Sequence, residues 1–372
     1  MRVLMISKAC IRGSYQKKLE ELARFDDIDL TVIVPRFWKE KGRKIDLEKT
    51  YTARYALTVE DMALNGHFHL HFYPNLGTHV RRLRPDIMHI DEEPYNLATF
   101  HAMRLALHVD TKPLFFTWQN LLRRYPFPFN WMERHNYRHS AHAIAGNRDG
   151  VDVLRGKGYQ GPVTVIPQFG VDTDAYRPSA GEPKQKSLQF RMGYVGRLVE
   201  EKGIDLLLRA AAELDGEWRL SVLGDGPFKA RLKELSGELG LEDRVTFQTP
   251  LPSAEMPAHY EQLDALVLPS RTRPNWKEQF GRVLIEAMAC GIPVVGSNSG
   301  EIPHVIAEAG LIFPENDVQA LRVHLSALMG NPRLRQALAQ NGREHVVRHY
   351  TQKKVAQATH EVYVKTATTQ DR

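Results

Sequence analysis

Short runs of β-branched and large apolar residues alternate with stretches of helical periodicity along most of the chain. In the first half, seven such runs have the length and composition of buried strands. They are RVLMIS, IDLTVIVP, HFHLHFYP, DIMHI, PLFFTW, HAIAG and VTVIP. Between them, segments such as SYQKKLEELARF and NLATFHAMRLALHV place their apolar residues on one helical face. This alternation is typical of parallel α/β layers.

A second series of the same kind begins near Phe190. Its predicted strands are FRMGYVG, WRLSVLG, RVTFQTP, ALVLPS, PVVGS and GLIF, and its predicted helices include residues 204–214 and 228–239. The stretch IPQFGVDTDAYRPSAGEPKQKS, rich in Pro, Gly and polar residues, separates the two series. We therefore predict an α/β chain with two Rossmann-like, doubly wound parallel-sheet domains, residues 1–168 and 169–350. A last helical segment, 351–372, follows them.

Length and cysteine content agree with such an architecture. A chain of 372 residues accommodates two α/β domains. Its two cysteines, Cys10 and Cys290, lie far apart, which favours a reducing compartment over a disulfide framework. The apolar run VLMI is only as long as a strand and no run approaches a membrane span. We expect a soluble, cytoplasmic protein.

Charge is distributed unevenly. Residues 1–168 contain 25 Lys and Arg against 18 Asp and Glu, whereas the remainder contains 25 against 26. The basic clusters of the first half are Lys39–Lys44, Arg81, Arg82, Arg84, Arg123 and Arg124. Such patches suit an anionic membrane surface or a phosphorylated substrate. A solvated basic face explains them equally well, and the absence of a nucleic-acid motif argues against that partner.

The run HFHLHF alternates histidine with apolar residues, which predicts a strand carrying His67, His69 and His71 on one face. Three such histidines could bind a metal ion, but no carboxylate or cysteine cluster accompanies them in the sequence. We predict no metal site here and interpret the run as an ordinary strand.

The segment EQFGRVLIEAMACGIPVVGSNSGEIP brackets a glycine turn with two carboxylates, Glu278 and Glu286. Phe280 and Gly281 lie where a loop becomes a helix, so unpaired backbone N–H groups stand beside two acceptors. The amides suit phosphate oxygens and the carboxylates suit sugar hydroxyls. An amphipathic helix with solvated acids would explain the apolar positions but not the glycine between the acids.

Two cations follow the first strand of the second series. The strand FRMGYVG continues into GRLVEEKGID, which places Arg197 and Lys202 at the carboxyl end of a parallel strand. They suit a diphosphate, although an ordinary exposed loop is the alternative. Gly224, in LGDGP after the next strand, permits a sharp turn near a base and ribose or serves only as a structural turn.

The segment from Glu278 resembles the donor-site signature of retaining GT-B fold glycosyltransferases of the family 4 type, the glycosyl transferases group 1. In that signature a Glu, seven residues and a second Glu precede a run similar to EAMACGIPVV. The resemblance implies a GT-B fold with two domains facing a central cleft. It also implies that Glu278 contacts the donor sugar, that Glu286 contacts the ribose, and that amides around Gln279, Phe280 and Gly281 face the transferring group.

The same resemblance implies that Arg197 and Lys202 neutralise the nucleotide diphosphate and, with Glu278, carry catalysis. It adds Gly224 and Gly13 to the donor site, although SKACIRGSYQ matches the family's glycine pair only in part. No cofactor is expected besides the nucleotide-diphosphate sugar as co-substrate. No metal ion is expected either, because Arg197, Lys202 and the helix-start amides can stabilise the developing charge, and no Asp-x-Asp motif ends a strand of the second domain. The segment 351–372 is expected to pack back on the first domain.

The first domain departs from the family pattern. Where the family often has a histidine facing the donor sugar, FFTWQN places Gln119, which cannot act as an acid or base near neutral pH. Trp118 and Asn120 beside it suit a sugar face and a hydroxyl, or else form a capped strand end with a core aromatic. Asp91, Glu92 and Glu93, in HIDEEPYN, are candidates to bind or deprotonate an acceptor hydroxyl. A solvated acidic loop, or carboxylates paired with nearby arginines, is the alternative.

These features together predict a retaining glycosyltransferase that moves a sugar from a nucleotide-diphosphate sugar to a hydroxyl acceptor. Cell-surface polysaccharide or glycolipid biosynthesis is the expected setting, with peripheral contact to the inner membrane face through the basic first half. A sugar-nucleotide epimerase or a phosphorylase of the same fold is a second hypothesis. A non-catalytic nucleotide-sugar-binding protein, suggested by the missing histidine, is a third.

Overall fold

The computed structural model describes residues 1–40, 42–178 and 189–368, which belong to two units. The first unit comprises Met1–Gly170 and the chain from Gln352 onward, and the second comprises Val171–Thr351. Three parts of the sequence predictions lie outside the described residues. These are Lys41 in the first basic cluster, positions 179–188 around the predicted domain boundary, and the last four residues of the predicted final helix.

A seven-stranded parallel sheet forms the centre of the first unit. Its strand order is β5-β2-β1-β6-β7-β8-β9, and β3 and β4 form a separate antiparallel hairpin. The strands are β1 (Arg2–Ile6), β2 (Asp29–Pro35), β3 (Phe37–Glu40), β4 (Arg43–Asp46), β5 (Ala56–Glu60), β6 (Ile87–Ile90), β7 (Lys112–Thr117), β8 (His142–Ala145) and β9 (Val163–Val165). Nearly continuous apolar runs form β1, β2, β6 and β7 because helices cover both faces of a parallel sheet.

Helices of the first unit pack on both faces of this sheet. They are α1 (Gly13–Leu22), α2 (Leu76–Leu83), α3 (Leu97–Leu107), α4 (Phe129–His139), α5 (Arg148–Gly156) and, from the end of the chain, α13 (Gln352–Thr368). Alternate residues of β1 separate the two layers. Val3 and Met5 pack in one apolar cluster with α1 and α13, whereas Leu4 and Ile6 pack in another with α2 and α3.

The second unit contains a six-stranded parallel sheet with the order β12-β11-β10-β13-β14-β15. The strands are β10 (Phe190–Val195), β11 (Trp218–Leu223), β12 (Val245–Gln248), β13 (Ala265–Leu268), β14 (Val294–Ser297) and β15 (Leu311–Phe313). The helices are α6 (Ile204–Ala212), α7 (Lys229–Glu238), α8 (Met256–Tyr260), α9 (Arg282–Ala289), α10 (Ile302–Ile306), α11 (Val318–Gly330) and α12 (Pro332–His349). The predicted pair of Rossmann-like parallel sheets is therefore confirmed.

One predicted strand is wrong. Residues 68–70 form a turn, in which Leu70 and His71 both donate backbone hydrogen bonds to the His67 carbonyl at 3.1 Å each, and Phe72 forms an isolated bridge with Ala63. The alternation of histidine and apolar residues therefore does not reflect a strand. His71 is buried in the unit instead, with its Nε2 3.4 Å from Oε2 of Glu92. The three histidines consequently do not line one strand face.

Strand order reverses once in each sheet, between β1 and β6 and between β10 and β13. In doubly wound sheets ligands bind outside the carboxyl ends of the strands at this switch point. The loops after these four strands are therefore where functional residues are expected. Within the ranges described, no helix is both long enough and apolar enough to span a bilayer.

Candidate functional site

The loops that follow β10 and β13 bring a lysine and a glutamate together in the second unit. Lys202 ends a 3₁₀ turn (Glu200–Lys202), and its Nζ lies 2.5 Å from Oε2 of Glu278. Ser270, two residues after β13, donates its hydroxyl to the same carboxylate oxygen at 2.9 Å. Trp276 covers the pair, because Lys202 Nζ lies 5.0 Å from the centre of its ring. The structure thus joins two of the predicted site residues at the switch point.

Backbone packing fixes this contact. Gly203, with φ of +66°, follows Lys202, and a Cβ at this position would lie 2.0 Å from the carbonyl oxygen of Pro269. Gly300 packs equally closely against the backbone of Glu278, since a Cβ at position 300 would lie 2.0 Å from the Glu278 carbonyl oxygen. Only glycine permits such close approach with a left-handed backbone. The position of Glu278 therefore depends on three backbone segments rather than on its own loop.

Helix α9 begins immediately after the predicted glycine turn. Gly281 is its N-terminal cap with φ of +81°, so the first amides of α9 lie next to Phe280 and Gly281 as the sequence indicates. Phe280 is buried and packs edge-on against Tyr350, with ring centres 5.6 Å apart. Gln279 lies between Glu278 and this turn. The turn is thereby a rigid support for amides that point away from the helix.

Glu286 lies one turn inside α9 and is buried. Tyr260 donates its hydroxyl to Oε2 of Glu286 at 2.8 Å, and Arg282 donates Nε to Oε1 at 2.7 Å. A carboxylate has about four lone-pair sites, so these two donors leave capacity for hydroxyls of a ligand. The predicted role of Glu286 at a ribose therefore requires no rearrangement of its present partners.

A cavity of about 260 Å³ lies beside Arg197 in the second unit. Apolar residues and glycine backbone line it, namely Val195, Gly196, Leu223, Gly224, Pro250, Leu251 and Met256, with Arg197 and Asp225 at its edge. Arg197 is exposed, and Tyr194 anchors its backbone by donating a hydrogen bond to its carbonyl at 2.9 Å. A Cβ on Gly224 would lie 1.9 Å from the Gly196 carbonyl oxygen. Glycine at this position therefore allows the two loops to pack closely and serves structure as well as the cavity wall.

The predicted acceptor residues lie in the first unit, after β6. Asp91 is buried, where Ser7 donates to Oδ2 at 2.5 Å and Gln168 donates to Oδ1 at 2.9 Å. Glu92 is buried as well and forms an ion pair with Lys8, whose Nζ lies 3.3 Å from Oε2. A solvated acidic loop is therefore not what the structure contains. The partners of Glu92 are a lysine and a histidine rather than arginines.

Neighbouring acids at this edge differ in their electrostatics. Burial of Glu92 tends to raise its pKa, but Lys8 and His71 outweigh this and lower the pKa to about 2. Removal of water around Glu93 raises its pKa to about 7, although Thr117 and the Trp118 amide donate hydrogen bonds to it at 2.7 and 2.8 Å. Of these two acids, Glu93 is therefore the one that changes protonation near neutral pH.

The segment TWQN ends β7 with side chains turned into the unit. Trp118 donates Nε1 to the Gln168 side-chain oxygen at 3.0 Å and packs against Phe169. Gln119 is buried and donates Nε2 to Glu133 at 3.1 Å, and Asn120 is buried beside it. Gln119 therefore belongs to a hydrogen-bonded network, and its contact with any acceptor stays a prediction.

Gly13 is the first residue of α1, and its amide has an internal acceptor. Glu48 accepts this N–H at 2.6 Å, and a Cβ on Gly13 would lie 2.3 Å from Oγ1 of Thr50. The amide predicted to approach the donor thus faces a carboxylate of the same unit. Glu48 stands where an anionic group would stand at a helix N-terminus.

Some residues that contact the predicted site residues were not predicted from the sequence, in either unit. Ser270 could have been found, because it follows a buried strand at the switch point. Lys157 and Glu133 carry no sequence signal, since the pair joins the residue after α5 to α4, 24 positions apart in the chain. Across the described ranges, no group of three or more His, Cys, Asp or Glu residues is arranged to hold a metal ion.

Two family descriptions match successive parts of the chain. The description "Glycosyltransferase Family 4" matches residues 18–175, and "Glycosyl transferases group 1" matches residues 175–345. The second match contains Arg197, Lys202, Glu278 and Glu286. Together the two matches follow the division of the chain into its two units.

Curated relatives match about half of the chain. A GDP-mannose-dependent alpha-(1-6)-phosphatidylinositol monomannoside mannosyltransferase of Mycolicibacterium smegmatis is 33% identical over 187 residues, 47% of this chain and 49% of that protein. A D-inositol 3-phosphate glycosyltransferase of Corynebacterium jeikeium is 31% identical over 221 residues, 54% of this chain and 51% of that protein. The chain thus spans about half the length of the curated relatives it matches.

Solved structures resemble the whole chain in fold. HepE of Anabaena, solved with UDP, has a TM-score of 0.74 at 17% identity and covers 98% of this chain and 100% of its own. Sucrose-phosphate synthase of Thermosynechococcus elongatus has a TM-score of 0.73 at 18% identity, with 98% of both chains covered. These likenesses confirm the GT-B fold class.

Proposed function

Because the chain belongs to the glycosyl transferases group 1, with a family 4 glycosyltransferase segment before that region, we propose that it is a retaining glycosyltransferase. Its donor is a nucleotide-diphosphate sugar and its acceptor carries a hydroxyl group. The observation that carries the proposal is the Lys202–Glu278 ion pair, held by Ser270 beside the start of α9. A cation for the diphosphate and an acceptor for sugar hydroxyls stand side by side there.

The chemical difficulty of this reaction is the departure of the nucleotide diphosphate. As the bond between the anomeric carbon and the phosphate oxygen breaks, the electron pair stays on that oxygen and negative charge develops. Lys202, Arg197 and the first amides of α9 stabilise this charge, and preorganised groups of this kind cost no reorganisation during the reaction. The proposed mechanism therefore uses protein cations for a task that other enzymes assign to a metal ion.

Glu278 orients the donor sugar in this proposal. Its Oε2 is held by Lys202 and Ser270, so the carboxylate is fixed in one rotamer before the sugar arrives. The acceptor hydroxyl oxygen bonds to the anomeric carbon on the face that the diphosphate leaves, and its proton passes to the departing phosphate oxygen, so the anomeric configuration is retained. The cavity beside Arg197 has apolar walls that suit the flat face of a nucleobase.

Cell-surface polysaccharide or glycolipid assembly is the proposed setting, at the cytoplasmic face of a membrane. The names of the relatives support this, since one acts on a phosphatidylinositol monomannoside. The first unit also exposes the large apolar side chains of Leu122, Phe127 and Trp131 near Arg123 and Arg124. Apolar side chains flanked by arginines favour the surface of an anionic bilayer.

Donor identity is tested first, by thermal unfolding with UDP, GDP, ADP and their sugars. We expect one nucleotide to stabilise the chain selectively, because binding to the native state raises the unfolding temperature.

With that donor, Glu278→Gln should reduce transfer about 100-fold or more while nucleotide binding persists. Arg197→Ala should weaken both, and Arg209→Ala, an exposed arginine on α6, should change neither. Near wild-type transfer by both the Glu278 and the Arg197 variants would refute the assignment.

A further inference from the structure

A second cavity, lined mainly by charged residues, lies in the first unit and borders the loop after β6, because its residue Tyr125 stacks on Tyr95 of that loop. It has a volume of about 390 Å³ and lies among the loop after β7, α4 and the end of α5. We call this cavity the basic pocket. It is lined by Leu122, Arg123, Arg124, Tyr125, Asn130, Glu133, Arg134, Gly156 and Lys157. We propose that the basic pocket binds a phosphate group, and that this phosphate belongs to the acceptor.

The charge balance of the basic pocket favours an anion. Four cationic side chains, Arg123, Arg124, Arg134 and Lys157, line it against a single carboxylate, Glu133. Lys157 Nζ lies 2.7 Å from Oε1 of Glu133, so this carboxylate is neutralised at the floor. Arg124 and Arg134 add two further positive charges to the lining.

The floor is built from side chains that cannot easily move away. Lys157 and Glu133 have side chains only 8% and 7% exposed. Lys157 donates a second hydrogen bond, at 2.7 Å, to the Gln119 side-chain oxygen, and Tyr137 donates to Glu133 at 3.1 Å. Buried charges persist only when they are paired and hydrogen-bonded. A cation is thereby fixed beneath the pocket at the cost of burying an ion pair.

Tyr125 forms a rigid wall between the floor and the mouth. Lys157 Nζ lies 4.7 Å from the centre of its ring, and Tyr125 stacks on Tyr95 with ring centres 4.1 Å apart. The Tyr125 ring thus packs against Lys157, whereas Arg124 and Arg134 are exposed at the mouth of the pocket. Among the residues described, Arg124 and Arg134 form no ion pair with a carboxylate, so their charge is available to a ligand.

A phosphate fits this arrangement better than a carboxylate does. A phosphomonoester carries nearly two negative charges and three acceptor oxygens, which several guanidinium groups can bind together. A carboxylate offers one charge and two oxygens, leaving the excess positive charge largely uncompensated. Glu133 already supplies the single carboxylate that Lys157 needs.

The mouth of the pocket adds information about the rest of the ligand. Leu122 is part of the lining and is 63% exposed, while Phe127 and Trp131 nearby in sequence are 79% and 51% exposed. Exposed apolar residues next to a phosphate pocket suit a phosphate attached to a lipid. A soluble sugar phosphate offers the same group to the pocket, so the test distinguishes the two sources.

The experiment measures binding of inorganic phosphate to the whole chain by calorimetry at constant ionic strength. We expect Arg124→Ala with Arg134→Ala to weaken binding roughly tenfold or more, because charge-assisted hydrogen bonds are lost. The matched control is Arg81→Ala with Arg82→Ala, which removes the same charge from exposed positions on α2. Equal weakening in both double variants would overturn the proposal, as would binding of acetate as tight as that of phosphate.

Arg197→Ala separates the basic pocket from the donor site in the same assay. If phosphate binding fell in this variant and not in the Arg124 and Arg134 variant, phosphate would occupy the donor site and the proposal would fail. The assignment of this phosphate to an acceptor rests on the proposed function, but binding itself is measured without sugar transfer. Failure here with nucleotide binding intact would leave the proposed function standing.

Vesicles identify the source of the phosphate. Phosphatidylcholine vesicles containing phosphatidic acid are compared with inositol 1-phosphate as the soluble probe. A lipid phosphate would be supported if vesicle binding were lost both in the Arg124 and Arg134 double variant and in a separate Leu122→Ser variant. Loss only of inositol 1-phosphate binding would support a soluble acceptor phosphate. Unchanged binding of both probes would overturn the proposal.

Discussion

Three consecutive acids after β6 have different partners, and the partners of Glu92 and Glu93 move the pKa of these two groups in opposite directions. Asp91 accepts hydrogen bonds from Ser7 and Gln168, Glu92 pairs with Lys8, and Glu93 accepts from Thr117 and the Trp118 amide. A cation stabilises the charged form of Glu92, whereas Glu93 has neutral donors and little water. The pKa of Glu92 falls to about 2 and that of Glu93 rises to about 7 for this reason.

Glu93→Gln is expected to change how stability depends on pH. The folded-state pKa of Glu93 is raised, so the folded chain holds this proton more tightly than the unfolded chain. Its contribution to the free energy of unfolding is therefore present at low pH and is lost as pH rises from about 4.5 to 7. Glutamine imitates the protonated acid, so the variant should match the wild type near pH 5. At pH 7.5 it should be more stable, by on the order of 2 kcal/mol.

Denaturant unfolding of both proteins from pH 5 to 8 measures this difference. Glu92→Gln is the control of opposite sign, because its depressed pKa contributes stability above about pH 4.5. The Glu92 variant should be less stable than the wild type throughout the range. A Glu93 variant that tracks the wild type at every pH would show that Glu93 ionises freely in the folded chain.

Sequence reasoning located individual residues where strand order alone determines position. Arg197, Lys202 and Glu278 follow strands β10 and β13, and parallel strands place their carboxyl ends at one edge of the sheet. Sequence reasoning failed where a side chain distant along the chain completes a contact. Lys157 reaches Gln119, and Glu48 reaches Gly13, through packing that no local pattern encodes.

At the scale of elements, the turn after the Glu200–Lys202 segment sets the geometry of the candidate donor site. Gly203→Ala should therefore be strongly destabilising, because its Cβ would lie 2.0 Å from the Pro269 carbonyl oxygen and the two loops would have to separate. We expect a cost clearly above the 1–2 kcal/mol of left-handed strain alone. Separation of the loops also moves Lys202 away from Glu278, so nucleotide binding should weaken.

Gly240→Ala is the matched control for this prediction. Its φ of +67° is nearly identical to the +66° of Gly203, but no atom lies within 4 Å of the position of a Cβ. The control should cost only the backbone strain, about 1–2 kcal/mol, and should leave nucleotide binding unchanged. Urea unfolding and nucleotide titration of both variants provide the comparison. Equal costs for the two substitutions would mean that the loops yield easily.

The elements themselves were predictable to the extent that their burial was uniform. Central strands such as β1 and β10 are buried and read as apolar runs, so the sequence located them to within a residue or two. Strand β5 was missed because it lies at the sheet edge, where its residues are partly exposed. The histidine run was misread because tertiary contacts of His71 decided its structure, and periodicity alone does not distinguish them.

On the scale of the whole molecule, each unit has its own sheet and its own buried core. Two apolar clusters lie on opposite faces of the first sheet, and α13 contributes Val355 and Tyr363 to one of them. The buried strands β10, β11, β13 and β14 form the centre of the second unit. Units with separate cores are expected to unfold as separate cooperative transitions.

Tyr363→Phe and a bound nucleotide should therefore act on different thermal transitions. The Tyr363 hydroxyl and His89 Nδ1 lie 2.7 Å apart in a buried hydrogen bond, and burial lowers the pKa of His89 to about 4, so the ring is neutral at pH 7. Loss of the hydroxyl leaves the buried imidazole nitrogen without this partner, at a cost of about 1–3 kcal/mol. Tyr363→Phe should therefore lower only the unfolding temperature of the first unit.

The nucleotide selected in the donor screen should raise only the unfolding temperature of the second unit, because Arg197, Lys202 and Glu278 all lie there. Differential scanning calorimetry of the wild type and the variant, each with and without nucleotide, separates the four cases. A single transition that responds to both changes would show that the two units unfold together.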